Sequence, residues 1–205
     1  LQNDLAAELA RAVAILNKGG VVAFPTDTVY GLGALADNPV AICRVFEIKE
    51  RPLTQALPLL VADIAQAASV VHTVPAVAQL LMEHFWPGAL TLVLPCATWV
   101  PKMITAGGST VAVRVPAHPL TLALMEAVGR PLVGTSANVH GLPSPVTAEE
   151  VRAQLSDRVD FIIDGGRTPG GIESTIVDMT VSPPQILRHG MIKREDIEKV
   201  VTGLW

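Results

Sequence analysis

Residues 19–33 read Gly19-Gly20-Val21-Val22-Ala23-Phe24-Pro25-Thr26-Asp27-Thr28-Val29-Tyr30-Gly31-Leu32-Gly33. Val21 to Phe24 is a short apolar run between a glycine pair and a proline, which predicts a buried strand. Upstream, Leu5, Leu9, Ala12, Val13 and Leu16 recur at helical spacing, with Asn3 or Asp4 placed to cap the helix and Gly19-Gly20 to end it. Downstream, Asn38-Pro39 is a cap and first-turn pair that opens a second helix through Ile42, Val45, Phe46 and Ile48. A strand held between two helices predicts an α/β fold.

The rest of the chain repeats the alternation. Short apolar strands are expected at 58–62, 89–94, 110–115, 131–134, 159–163, 174–179 and 185–188, and helices at 74–84, 119–128, 147–155 and 194–201. Thr147 and Glu150 have capping-box spacing. Several connections are too short for a helical crossover, so the expectation is a single α/β domain over residues 1–205 with a twisted, largely mixed sheet flanked by helices. Glycine and proline gather in Leu142-Pro143-Ser144-Pro145 and in residues 165–171, two candidate mobile loops.

Composition narrows the function. With 205 residues, half of them hydrophobic, the chain can bury a core and is not disordered. Fifteen Lys and Arg against nineteen Asp and Glu give −4, which disfavours a globally basic nucleic-acid binder. Cys43 and Cys96 lie far apart without C-x-x-C spacing, so neither a disulfide scaffold nor a zinc knuckle is expected, and a reducing, cytoplasmic setting fits. No apolar run reaches the roughly 18 residues of a membrane span, and Leu1-Gln2-Asn3-Asp4 is not a signal peptide.

Some motifs fail on context. Gly31-Leu32-Gly33-Ala34-Leu35-Ala36 matches G-x-G-x-x-A, but a dinucleotide loop must close a strand and open a helix directly. Here Pro25 to Thr28 intervenes and the helix waits until Pro39. There is no P-loop lysine signature and no G-x-S-x-G, and the five histidines lack zinc-ligand spacing.

Others survive, each with a plainer alternative. Thr26-Asp27-Thr28 places hydroxyls and a carboxylate at a strand end, where α/β proteins gather ligands, yet a Ser/Thr turn explains the same residues. Lys49-Glu50-Arg51-Pro52 ends an apolar helix with two cations suited to phosphate, or with simple compensation of the helix dipole. Gly134-Thr135-Ser136-Ala137-Asn138 leaves a strand with three polar side chains, followed by Ser144. Arg114 stands inside Val111-Ala112-Val113-Arg114-Val115 and needs an anionic partner, either a ligand or an Asp or Glu of the fold.

Together these segments resemble the YrdC-like family of threonylcarbamoyl-AMP synthases. The match runs from about Leu9 to Glu195 and is ordered. It comprises the Gly19–Gly33 stretch, Lys49-Glu50-Arg51-Pro52, Phe85-Trp86-Pro87-Gly88-Ala89-Leu90-Thr91, Val111 to Pro116, Thr135-Ser136-Ala137-Asn138, Pro143-Ser144-Pro145, Asp164-Gly165-Gly166, Glu173 to Asp178 and Leu187-Arg188. The resemblance implies a nucleotidyltransferase that condenses L-threonine, bicarbonate and ATP, with Mg2+ bound to ATP, into threonylcarbamoyl-AMP and pyrophosphate for tRNA threonylcarbamoyladenosine. It implies a concave basic cavity with Lys49, Arg51, Ser136 and Asn138 as catalytic residues. Threonine would be held near Thr26, Arg114 and Ser174, and ATP near Lys49, Thr110, Ser136, Ser144 and Arg188. A downstream threonylcarbamoyl transferase machinery would take the product, and tRNA or double-stranded RNA is a further implied partner. Two departures stand out: Gln55-Ala56-Leu57 where the family often has K-P-L, removing a cation, and Leu187-Arg188-His189-Gly190 where it often has L-R-P-G. Ending at Trp205, the chain looks like the short single-domain form. The rival readings are a double-stranded RNA-binding protein and a related carbamoyl-adenylate-forming enzyme.

Overall fold

The computed structural model describes residues 2–203, with side chains from residue 5 onward. Leu1, Leu204 and Trp205, the last of them the expected end of the short form, lie outside the described residues. In chain order the elements are α1 (Gln2–Asn17), β1 (Val22–Phe24), β2 (Gly31–Leu35), α2 (Pro39–Lys49), β3 (Leu59–Leu60), α3 (Ile64–Val70), α4 (Ala76–Phe85), β4 (Leu90–Pro95), β5 (Thr110–Arg114), α5 (Pro119–Val128), β6 (Leu132–Ser136), α6 (Ala148–Leu155), β7 (Phe161–Ile162), β8 (Thr175–Asp178), β9 (Gln185–Arg188) and α7 (Arg194–Val200). Among the described residues the strands form one sheet in the order β7-β1-β2-β6-β3-β5-β4-β8-β9. It is mixed, as expected: β1–β7, β3–β5 and β4–β8 are parallel and the other pairs antiparallel.

Local signals account for several boundaries. Asn38 Oδ1 accepts the Ala41 amide at 3.1 Å, Pro39 opens α2, and Thr147 Oγ1 accepts the Glu150 amide at 3.2 Å to cap α6. Glu150 reaches back to the Val146 amide at 2.7 Å, completing the box one residue early. Helix α1 begins at Gln2, upstream of the expected Asn3 or Asp4 cap.

Two elements have no counterpart in the expectation. The Gly31–Leu35 run is neither a dinucleotide loop nor any other loop; it is β2, antiparallel to β1 and fully buried. Its glycines make room for an aromatic ring: a Cβ at Gly31 or Gly33 would stand 2.8 or 2.9 Å from the Phe24 ring. Helix α3 was not expected, although Asp63 caps it through the Gln66 amide at 2.6 Å and Gln66 Oε1 accepts the Ala62 amide at 2.8 Å. Strand β6 also runs two residues further than expected, through Thr135 and Ser136.

The sheet separates two apolar cores, and β1 serves both by alternation. Val22 and Phe24 pack with Ala12 and Leu16 of α1 and Leu124, Met125 and Val128 of α5, whereas Val21 and Ala23 face the larger core that contains residues of α2, α4, α6 and α7. Helices α1 and α5 therefore cover one sheet face at its β7-β1-β2 end. The rest of that face floors an open cavity.

Candidate active site

The cavity holds about 470 Å³, within the range of small-molecule sites. Its floor is made by alternate residues of neighbouring strands: Leu60, Thr91 and Val93, Ala112 and Arg114, Gly134 and Ser136, and Ile176. Walls come from Thr26 to Tyr30, the end of α2, residues 138–144, Glu173-Ser174 and Arg188. Of the residues expected at a site, Thr26, Lys49, Arg51, Arg114, Ser136, Asn138, Ser144, Ser174 and Arg188 converge here. Thr110 does not line the cavity: it opens β5 on the same strand face, two positions before Ala112.

Helix α2 delivers Lys49, then stops because Glu50 turns left-handed at φ 52°. Lys49 does not sit at the helix end as a solvated cation. It is 1% exposed, and Nζ donates to the Ser136 carbonyl, the Asn138 carbonyl at 2.8 Å and Asn138 Oδ1 at 3.1 Å. The lysine thereby shapes the Ser136–Leu142 turn. Asn138 completes it by donating Nδ2 to Val139 and Leu142 carbonyls at 3.1 and 2.6 Å, so its amide is engaged by the loop.

Burial, then the neighbouring Arg51 charge, pushes the Lys49 ammonium down to about 8, with Glu173 opposing. This value lies below the ordinary 10.5, so between the two the folded protein has shed a proton that the unfolded chain keeps. The Lys49 contribution to stability should therefore rise with pH across about 8 to 10.5, and that rise should vanish in Lys49→Met. Urea unfolding of both proteins across that window reads the difference.

Arg51 differs from Lys49. Its Nη2 donates to the Ala56 carbonyl at 2.8 Å, but Nε is buried with no partner among the described residues. Burial draws its proton affinity down and Glu173 raises it. Arg51 lines the cavity, and a guanidinium charge there suits an anionic ligand.

Arg114 finds its anion inside the fold. Nη2 pairs with Asp27 Oδ1 at 2.6 Å, Nη1 donates to Thr28 Oγ1 at 3.1 Å and Nε to the Gly88 carbonyl at 2.9 Å. The open fork expected for a threonine carboxylate is thus closed by Asp27, which also accepts the Ala117 amide at 2.9 Å. Burial lowers the Arg114 proton affinity, with Asp27 opposing. Thr26 makes the Ser/Thr turn that was its plainer reading, with Oγ1 donating to the Val29 carbonyl at 2.7 Å and accepting the Thr28 amide at 3.1 Å, and it lines the cavity as well.

At the opposite wall Ser174 Oγ meets Thr91 Oγ1 at 2.8 Å and Arg188 Nη2 at 3.0 Å, while Arg188 also pairs with Glu173. Ser144 Oγ donates to Glu173 Oε1 at 2.8 Å. Gly190 lies against this segment so closely that a Cβ would stand 2.3 Å from the Glu173 carbonyl oxygen and 2.5 Å from the Thr175 nitrogen. Gly190→Ala should therefore destabilise the fold by about 1–3 kcal/mol, measured by denaturant unfolding. Asp27, Thr91 and Glu173 were absent from the expected site list. The carboxylate beside Thr26 is the visible sign of Asp27, whereas Thr91 and Glu173 carry no local signal beyond the longer family-like segments that contain them. Among the described residues no group of three or more His, Cys, Asp or Glu could hold a metal ion, and no helix is long and apolar enough to cross a membrane.

A family model described as "Sua5_yciO_yrdC: Telomere recombination" matches residues 14–190, which contain the whole cavity wall. The chain belongs to the Sua5/YciO/YrdC family. A family member from Pyrococcus abyssi, named threonylcarbamoyl-AMP synthase, is 46% identical over 190 residues, covering 93% of this chain. The chain spans 56% of that relative's length and 56% of a Bacillus subtilis relative of the same name. Among solved Sua5/YciO/YrdC structures, P. abyssi Sua5 complexed with L-threonine superposes with a TM-score of 0.93 at 45% identity, covering 95% of this chain and 57% of that one. Escherichia coli YciO gives a TM-score of 0.83 at 30% identity over 92% of both chains.

Proposed function

We propose that the cavity is the active site of an L-threonylcarbamoyladenylate synthase. The observation that carries this reading is the convergence of Lys49, Arg51 and Arg188 on one cavity that Thr91 and Ser174 also line. Relatives named threonylcarbamoyl-AMP synthase and the family structure with L-threonine support the same reaction.

In this chemistry the threonine amine takes up carbon dioxide from bicarbonate as a carbamate, releasing water. A carbamate oxygen then attacks the α-phosphorus of ATP, and the bond to the β-phosphate oxygen breaks to release pyrophosphate. No covalent protein nucleophile is needed. The chain's part is to bring anions together and stabilise charge on phosphoryl oxygens, chiefly through Arg51 and Arg188, with Lys49 acting by its charge and by holding the Ser136–Asn138 segment. Ser136 and Ser144 supply neutral hydroxyls toward the nucleotide. Threonine would lie beside Thr26 and Ser174, with Arg114 contributing only the N–H groups that Asp27, Thr28 and Gly88 leave open. Magnesium would arrive with the triphosphate, whose oxygens and waters are its preferred ligands, and would neutralise charge on the leaving pyrophosphate. Serine lacks one methyl and should be rejected by only about 1–3 kcal/mol.

The product is a reactive mixed anhydride, so Pro143-Ser144-Pro145 or residues 165–171 would cover the site, and a cytoplasmic transferase that modifies tRNA adenosine would consume it. Pyrophosphate release measured with each substrate omitted in turn tests the reading. Release that requires threonine, bicarbonate and ATP together is expected. Release without threonine, or salt-dependent double-stranded RNA binding with no release, would contradict it.

A further inference from the structure

Among the described residues the cavity lining holds one carboxylate, Glu173, facing four cations: Lys49, Arg51, Arg114 and Arg188. Arg114 has Asp27 as its own counter-ion. The other three share Glu173. Its Oε1 accepts from Ser144 at 2.8 Å and its Oε2 pairs with Arg188, while its charge favours protonation of Lys49 and Arg51. Within the chain itself, this carboxylate therefore does the electrostatic work that a polyphosphate would do. It also holds two groups, Ser144 and Arg188, that the reading above gives to the nucleotide. The Glu173 main chain is fixed by the Met191 amide at 3.0 Å and by the close backbone of Gly190, but the side chain is one-third exposed and has solvent to turn into.

We propose that Glu173 is a built-in counter-anion that sets the polyphosphate affinity of the cavity, occupying Ser144 and Arg188 until an anionic ligand takes them and then turning outward. This rests on the reading of the cavity as an ATP site. A triphosphate competes with the carboxylate for donors and is repelled by its charge, whereas a neutral nucleoside carries no charge for the carboxylate to repel.

Isothermal titration with ATP in EDTA, and separately with adenosine, tests this on wild type, Glu173→Gln and Glu173→Asp. Glu173→Gln should bind ATP about 5- to 30-fold more tightly, the effect of removing one like charge near a polyanion, with adenosine affinity unchanged. Glu173→Asp keeps the charge but is too short to span Ser144 and Arg188, so it should tighten ATP binding by a smaller factor. Equal or weaker ATP binding by a folded Glu173→Gln, or parallel shifts for ATP and adenosine, would overturn the proposal. If Glu173→Gln does not fold, Glu173→Asp decides alone: tighter binding supports the role and equal or weaker binding overturns it. A wild type that forms the adenylate while neither variant tightens removes the role of Glu173 only. A wild type that neither binds ATP nor forms adenylate removes the reading beneath it.

Discussion

Lys49→Ala should lower turnover by at least about 100-fold, because it removes a positive charge beside the cavity and releases the Ser136–Asn138 segment that lines it, and should also destabilise the fold. The ammonium satisfies two carbonyls and one amide oxygen of the Ser136–Asn138 segment. Alanine leaves those acceptors buried without a donor, at about 1–3 kcal/mol for an unsatisfied group, and opens a cavity where a fully buried side chain stood. Arg51→Ala separates the two effects. It removes a cation of the cavity wall but gives up only the Ala56 contact, so turnover should fall while stability changes little. Pyrophosphate release and thermal unfolding, measured on both variants, read the two quantities. Normal turnover in folded Lys49→Ala and Arg51→Ala would return these cations to compensation of the α2 dipole.

Asp27→Ala should destabilise by about 3–5 kcal/mol, because it strands the buried Arg114 charge and the Ala117 amide together. The side chains are 8% and 14% exposed, so water screens the pair weakly. Since the loss comes mainly from the orphaned partner, Asp27→Leu combined with Arg114→Met should recover much of it. A double-mutant cycle in denaturant measures the coupling, and strict additivity would count against the pair as the hub of this wall. Removing the pair should also displace the Thr26–Thr28 turn, whose Thr28 hydroxyl accepts from Arg114, and so impair the site even where the fold survives.

The contrast between these two residues explains what could be read from the chain. Local signals sufficed where a structure is local: Val22 to Phe24 as a strand, Asn38-Pro39 opening α2, Thr147 and Glu150 capping α6. Strand β2 was hidden because its glycines answer to the ring of Phe24 on a neighbouring strand, a contact that hydropathy does not encode. Helix α3, at seven residues, is too short to show a clear period despite its Asp63 cap. In the site, residue types pointed to charge and the fold decided partners. That Arg114 needed an anion was legible, but its choice of Asp27, 87 positions away, was not. Lys49 was legible as a cation at a helix end, yet its acceptors lie at Ser136, the end of β6, and at Asn138 in the turn that follows. Glu173 carries no local sign of its role, which exists only because β8 and β9 bring Arg188 beside it and the proline-rich loop brings Ser144.

Incubation of the protein with L-threonine, ATP, magnesium and carbon-13 bicarbonate, followed by mass spectrometry, addresses the shared cavity most directly. A threonylcarbamoyl adenylate one mass unit heavier than its unlabelled counterpart, appearing with pyrophosphate and lost in Arg51→Ala, is the predicted result. Pyrophosphate without a labelled adenylate, or neither product from a folded protein, would contradict a site in which amino acid, carbamate carbon and triphosphate meet.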